Sequence, residues 1–123
     1  MLRRMKINVL KSKAHNAIVT ETKLDYEGSL VMDESIMKSA NIREYEKVLV
    51  ANSNNGNRYE TYIMKGDTNS GVISANGAGA RYSCVGDKIT IFAVAQIDES
   101  DKLEPRIVLV DEKNRVRKII HKP

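Results

Sequence analysis

The stretch 45-YEKVLVANS-53, 54-NNGN-57, 58-RYETYIM-64 decides how the chain is read. Two runs rich in Val, Leu, Tyr and Ile flank an Asn-Gly pair, the residues that most readily adopt the positive φ of a tight hairpin turn. The same pattern of short apolar run and polar turn recurs on both sides. MKINVLKSKAHNAIVTET, residues 5–22, alternates in part and carries Ile, Val and Thr, which predicts one or two strands. GVISA at 71–75, DKITIFAVAQI at 87–97 and PRIVLVDEKNRV at 105–116 predict further strands, the last ending in a polar turn. The best helix is MDESIMKSA, 32–40: Asp33 is placed to cap it, and Ile36, Met37 and Ala40 form one apolar face. Many short strands, one or two short helices and frequent Gly/Asn turns predict a mainly β fold, a small barrel or sandwich. No repeat or linker divides it, so residues 1–123 are expected to form a single domain.

Size and composition narrow the function classes. A chain of 123 residues can bury a core but leaves little room for a deep private active site. That favours a binding module, or an enzyme whose sites form between subunits. Charged residues are 29% and the hydrophobic set 41%, the balance of a soluble globular protein. The net charge of +4 leans only weakly toward an acidic ligand or nucleic acid. Basic residues gather at the ends, LRRMKINVLKSK at 2–13 and KNRVRKIIHKP at 113–123, and the second reads as a solvated tail. Cys84 is the single cysteine, so no internal disulfide forms, in keeping with a reducing compartment. With one Cys, and His15 and His121 far apart, no metal site is expected. The N-terminus lacks the apolar run of a signal peptide, and no stretch reaches membrane-spanning length. The expected location is therefore the cytoplasm, with no membrane partner.

Several motifs fail on inspection. NGAGA at 76–80 lacks the full G-x-G-x-x-G and the G-K-[ST] ending, and a strand-like run follows it. Its bare backbone can still approach an anion closely. No G-x-S-x-G surrounds any serine, so a serine-hydrolase elbow is absent. One Phe, five Tyr and no Trp supply little stacking surface, and no nucleic-acid partner is expected.

The remaining puzzle is DYEGS at 25–29, by itself a turn ahead of the helix. It does not stand alone. KAH at 13–15, DYEGS at 25–29, NGNRYETY at 55–62, ISANGAGA at 73–80 and VGD at 85–87 occur in order. Across about residues 1–110 this series resembles the pyruvoyl-dependent aspartate 1-decarboxylase family. The chain departs from the family pattern in a slightly longer N-terminus, and in Gly79, where alanine is common. The resemblance implies a double-psi β-barrel, assembled as a homotetramer with active sites between subunits. It implies self-cleavage between Gly28 and Ser29 into chains 1–28 and 29–123, with Ser29 becoming a covalent pyruvoyl group in place of pyridoxal phosphate. Cleavage can be spontaneous or assisted by a maturation factor; both stay open. The implied reaction converts L-aspartate to β-alanine and CO2 for pantothenate biosynthesis, with the substrate amine bound to the ketone as a Schiff base. Tyr62 is the implied proton donor, and Lys13, His15, Arg58, Thr61, Asn76, Gly77, Ala78 and Gly79 the implied substrate-binding residues.

The chemistry is consistent with those residue types. Loss of CO2 from an α-amino acid leaves a carbanion that no ordinary side chain can delocalise, so an electron sink is required. Serine after glycine can supply it by rearranging to an ester, eliminating to dehydroalanine and hydrolysing to a ketone, and glycine leaves the attack unobstructed. Arg58 and Tyr62 share a face of an ideal strand, as do Lys13 and His15. A guanidinium can grip a carboxylate in a bidentate pair, and a phenol can deliver a proton. Thr61 lies on the opposite face, and joins the site only if the strand bends or a loop or second subunit approaches. Asn76 can hydrogen-bond the oxygen of the pyruvoyl amide. Taken singly, each of these residues also reads as an ordinary strand or turn residue. Two rival readings remain: a non-catalytic barrel whose basic ends contact DNA, and a domain that cleaves at Gly28–Ser29 but leaves an ordinary serine N-terminus.

Overall fold

The central hairpin forms as its turn residues require. Strands β4 (Lys47–Asn52) and β5 (Arg58–Gly66) pair antiparallel, with Ala51 opposite Arg58 and Lys47 opposite Tyr62. Gly56 turns between them at φ +78°, a conformation open to glycine without strain. The computed structural model describes residues 4–121, so the outermost residues of both basic ends lie outside it. Before the hairpin come β1 (Lys6–Ile18), β2 (Glu21–Lys23), β3 (Ser29–Asp33) and the helix α1 (Glu34–Ala40). After it come β6 (Ile73–Asn76), a 3-10 turn at Gly77–Arg81, β7 (Lys88–Asp98), β8 (Arg106–Val110) and β9 (Val116–His121). The strands join in the order β2-β6-β3-β5-β4-β7-β1-β8-β9. The fold is mainly β, and its curled sheet is in keeping with the small barrel expected.

Two local features go beyond expectation. The basic tail was expected to be solvated and is largely exposed, but residues 116–121 also form a strand, β9, antiparallel to β8. The cause lies in the turn between them. Asn114 is buried at φ +58°, accepts from the Ile18 amide at 2.7 Å, and donates to the carbonyls of Ile18 and Gly71 at 2.8 Å each. One side chain thereby ties the hairpin to β1 and to the loop before β6. The second feature concerns Ser29. It opens β3, a strand buried along most of its length, and is only 6% exposed. A strand buried on both faces lacks the alternation that betrays a strand in sequence.

The apolar faces meet in one core containing Leu30, Met32, Ile63, Ile73, Ile89 and Ile91, all fully buried. Each such side chain contributes roughly 1.5–3 kcal/mol relative to exposure. Helix α1 contributes Ile36, Met37 and Ala40, as its spacing predicted.

Asp33 joins β3, α1 and the loop before β6. Its carboxylate accepts from the Ser35 amide at 2.8 Å, the Ser35 hydroxyl at 2.7 Å, the Asn69 amide at 2.9 Å and the Gly71 amide at 2.8 Å. Burial alone would raise its pKa, but these bonds to the ionised form outweigh burial and lower it below the usual 3.8. A carboxylate whose folded pKa is depressed stabilises the protein fully above its unfolded value, and loses that contribution as pH falls through the folded one. Asp33→Asn should cost about 1–3 kcal/mol near neutrality, the order expected for leaving buried donors unsatisfied. Urea unfolding of both proteins should show the gap narrowing as pH drops below about 4. A gap independent of pH would contradict the charged role of Asp33.

Candidate active site

The site is assembled by the pairing of one short strand with two neighbours. β3 runs parallel to β5, with Leu30 opposite Ile63, and antiparallel to β6, with Ser29 opposite Asn76. The recorded parallel pairing with β5 begins at Leu30, one residue past the Gly28–Ser29 peptide, while on the other side Ser29 itself pairs with Asn76.

Side chains complete the setting. Ser74 Oγ donates to Asn76 Oδ1 at 2.7 Å, which turns the Asn76 amide nitrogen toward Ser29 Oγ at 3.5 Å. Ser29 Oγ in turn donates to the Glu27 carbonyl at 3.4 Å. Gly77 holds φ +70°, and a Cβ there would lie 2.7 Å from Gly28 Cα and 2.8 Å from its nitrogen. No residue but glycine fits at 77, because its backbone packs directly on the backbone of residue 28. A Cβ at Gly28 itself would meet nothing within 4 Å, so that position opens outward.

A cleft of about 270 Å³ begins there, with Gly28, Thr61, Tyr62, Asn76, Ala78 and Gly79 on its walls. Thr61 and Tyr62 both reach it although they alternate along β5. The reason is a change of partner: β5 pairs with β4 up to Tyr62 and with β3 from Ile63. The cleft sits at that handover, where Gly28 and the 3-10 turn close in, so a loop provides the approach that Thr61 required. Tyr62 is 55% exposed and its hydroxyl is free to meet a ligand.

Lys13, His15 and Arg58 form a second group, and none of them lines the cleft. Lys13 Nζ and the Arg58 guanidinium each lie 5.7 Å from the centre of the Phe92 ring. Arg58 stands four residues from Tyr62 on β5, roughly 13 Å along a strand. Two cations on one ring repel each other, and an anion between them would relieve that repulsion. His15 keeps the Lys13 side of β1 although the strand bulges beyond Ala14, with Asn16 at φ +59°. Its Nδ1 lies 3.3 Å from Thr90 Oγ1, two residues along β7 from Phe92.

Sequence reasoning missed Phe92 and Tyr59. Phe92 was legible only as a strand residue, since its role depends on register: it lies opposite Lys13. Tyr59 shares its strand face with Thr61, lines the cleft, and stacks on Tyr82 with ring centres 5.2 Å apart. Burial raises the pKa of its phenol, and the nearby Ser83 hydroxyl offsets part of that rise. Among the described residues, no group of three or more His, Cys, Asp or Glu is arranged to hold a metal ion. No helix among them is long and apolar enough to cross a membrane.

Comparison of the sequence with known proteins places the chain in a family. The sequence model described as "Aspartate decarboxylase" matches residues 5–117. The aspartate 1-decarboxylase of Caldicellulosiruptor bescii is 51% identical over 120 residues, covering 96% of this chain and 94% of that protein. Those of Clostridium botulinum (strain Loch Maree) and Coprothermobacter proteolyticus are 49% and 47% identical, each over 94% of this chain and over 92% and 96% of their own lengths. With both the family's sequence pattern and its full-length relatives covering nearly the whole chain, this protein belongs to the aspartate decarboxylase family.

Proposed function

We propose that the protein decarboxylates L-aspartate to β-alanine and CO2, supplying pantothenate biosynthesis, with a pyruvoyl group derived from its own Ser29. The observation that carries this reading is the setting of the Gly28–Ser29 bond: Ser29 is paired with Asn76 of β6, and Gly28 lies on the wall of a cleft that Thr61 and Tyr62 of β5 also line. The names of the relatives support aspartate as substrate. No metal and no pyridoxal phosphate are required.

Maturation uses groups already in place. Ser29 Oγ attacks the Gly28 carbonyl carbon; the peptide C–N bond breaks and an ester C–O bond forms. Loss of the residue 29 Cα proton expels Gly28 as a carboxylate and leaves dehydroalanine. Water then releases ammonia and leaves a ketone on residues 29–123. The residues present fit such a group: the Cβ side of Gly28 is open, Gly77 leaves room for the backbone to pack there, and the Asn76 amide addresses the oxygen at residue 29. Once formed, the ketone supplies the electron sink that decarboxylation demands.

The chain's other residues bind and protonate. Thr61, Gly77, Ala78 and Gly79 shape the cleft around the substrate, and Tyr62 delivers the proton that replaces CO2. Lys13 and Arg58 hold a carboxylate, with His15 beside them. Because this cationic group lies off the cleft of its own chain, the complete site joins the cleft of one subunit to the cations of another in a homotetramer. Cleavage proceeds spontaneously or with a maturation factor, and the enzyme works in the cytoplasm.

Three variants separate these roles. Ser29→Ala should fold, stay at full-length mass and release no CO2 from aspartate. Parental CO2 release by that variant would sink the pyruvoyl reading. Tyr62→Phe should cleave normally and still be fixed to aspartate by borohydride, but lose roughly 100-fold or more in kcat, as expected for a general acid. Unchanged kcat, or no trapped aspartate, would remove Tyr62 from proton delivery. Arg58→Lys keeps the charge but loses the guanidinium fork, so steady-state kinetics should show KM raised about tenfold with kcat little changed.

A further inference from the structure

The 3-10 turn is held from two sides. Gly77 packs on the Gly28 backbone, where a Cβ would come within 2.7 Å of Gly28 Cα. Two residues on, a Cβ at Gly79 would lie 2.8 Å from Tyr59 Cε2, 2.9 Å from its hydroxyl oxygen and 3.0 Å from its Cζ. Real Cβ atoms do not approach that closely, so the Tyr59 ring occupies the volume a side chain at 79 would need. The ring has little freedom to withdraw. It is stacked on Tyr82 at 5.2 Å and packs against the hydrophobic core. Its hydroxyl is buried, with the Ser83 hydroxyl nearby, and packs toward Gly79.

We infer that Tyr59 is a positioning residue for the reaction: its ring, seated against Gly79, sets how closely the 76–79 backbone lies on the Gly28–Ser29 bond. The inference rests on the proposed self-cleavage for its functional consequence. Tyr59 lines the same cleft, and its effect on the scissile bond passes through the turn, which is clamped between a side chain and residue 28. A methyl group at 79 must displace the ring or push the turn toward Gly28. Shortening the side chain at 59 makes room for that methyl, so the two substitutions compensate each other, as expected for packed neighbours.

The test is a double-mutant cycle with Gly79→Ala, Tyr59→Leu and the pair, read in two ways. Intact mass over time gives the rate of cleavage between 28 and 29. Gly79→Ala should slow it at least tenfold while the protein stays folded by circular dichroism, and the double variant should recover to within about threefold of the parent. KM for aspartate, measured on matured enzyme, should follow the same order. The second reading uses the full chain carrying Ser29→Ala, which keeps the bond intact throughout. There, Gly79→Ala should shift the backbone amide NMR signals of Gly28 and Gly77, and adding Tyr59→Leu should move them back. Gly79→Ala at parental cleavage rate, or amide shifts that Tyr59→Leu does not reverse, would overturn the inference. If the parent does not cleave at all, the proposed function falls, and the amide shifts still decide the role of Tyr59.

Discussion

Everything in the site depends on β3 lying between a parallel and an antiparallel neighbour. Leu30 is opposite both Ile63 of β5 and Ala75 of β6, and all three are fully buried. A slip of one residue in either pairing would turn the apolar side chains of β3 away from the core, so the register is strongly enforced. The enforced register places Ser29 opposite Asn76. Core packing therefore sets the frame on which the contacts at the scissile bond, Gly77 on Gly28 among them, are built. Asp33 at the far end of the strand anchors it, through bonds to α1 and to the loop that leads into β6.

Around that strand, glycine is used where backbone must meet backbone. Gly77 lies against Gly28 and Gly79 against Tyr59, so the turn after β6 comes closer to its neighbours than any larger residue would allow. The cations are handled differently. Lys13 of β1 and Arg58 of β5 both lie near the Phe92 ring of β7, with β4 standing between β7 and β5, and neither lines the cleft of the same chain. In the proposed reading a dicarboxylate substrate draws on both the cleft and the cations, and their separation within one chain is what that reading answers by sharing sites between subunits.

Much of this was legible in the sequence, because local chemistry dictated it. The Asn-Gly hairpin, the helix with Asp33 at its cap, and the strands at 73–76 and 88–98 all followed from turn residues and periodicity. β3 escaped notice because burial on both faces erased its alternation, and β9 because its exposed Arg and Lys resemble a tail. At the site, Ser29, Tyr62 and Asn76 were singled out by ordered motifs resembling a family, and the structure brings them together. Phe92 and Tyr59 were invisible. Their importance comes from register and from what a neighbouring glycine leaves open, neither of which a linear pattern encodes.

The central claim is that this packing holds the Gly28–Ser29 bond for conversion into a ketone. The most direct measurement is the intact mass of the unaltered protein over prolonged incubation, alone and with a cell extract able to supply a maturation factor, then after treatment with a carbonyl reagent. The account predicts two chains, 1–28 and 29–123, the larger one lighter than a fragment with a free serine N-terminus and labelled by the reagent. A persistent full-length mass under both conditions, or a 29–123 fragment that carries an unmodified serine and takes no label, would contradict it.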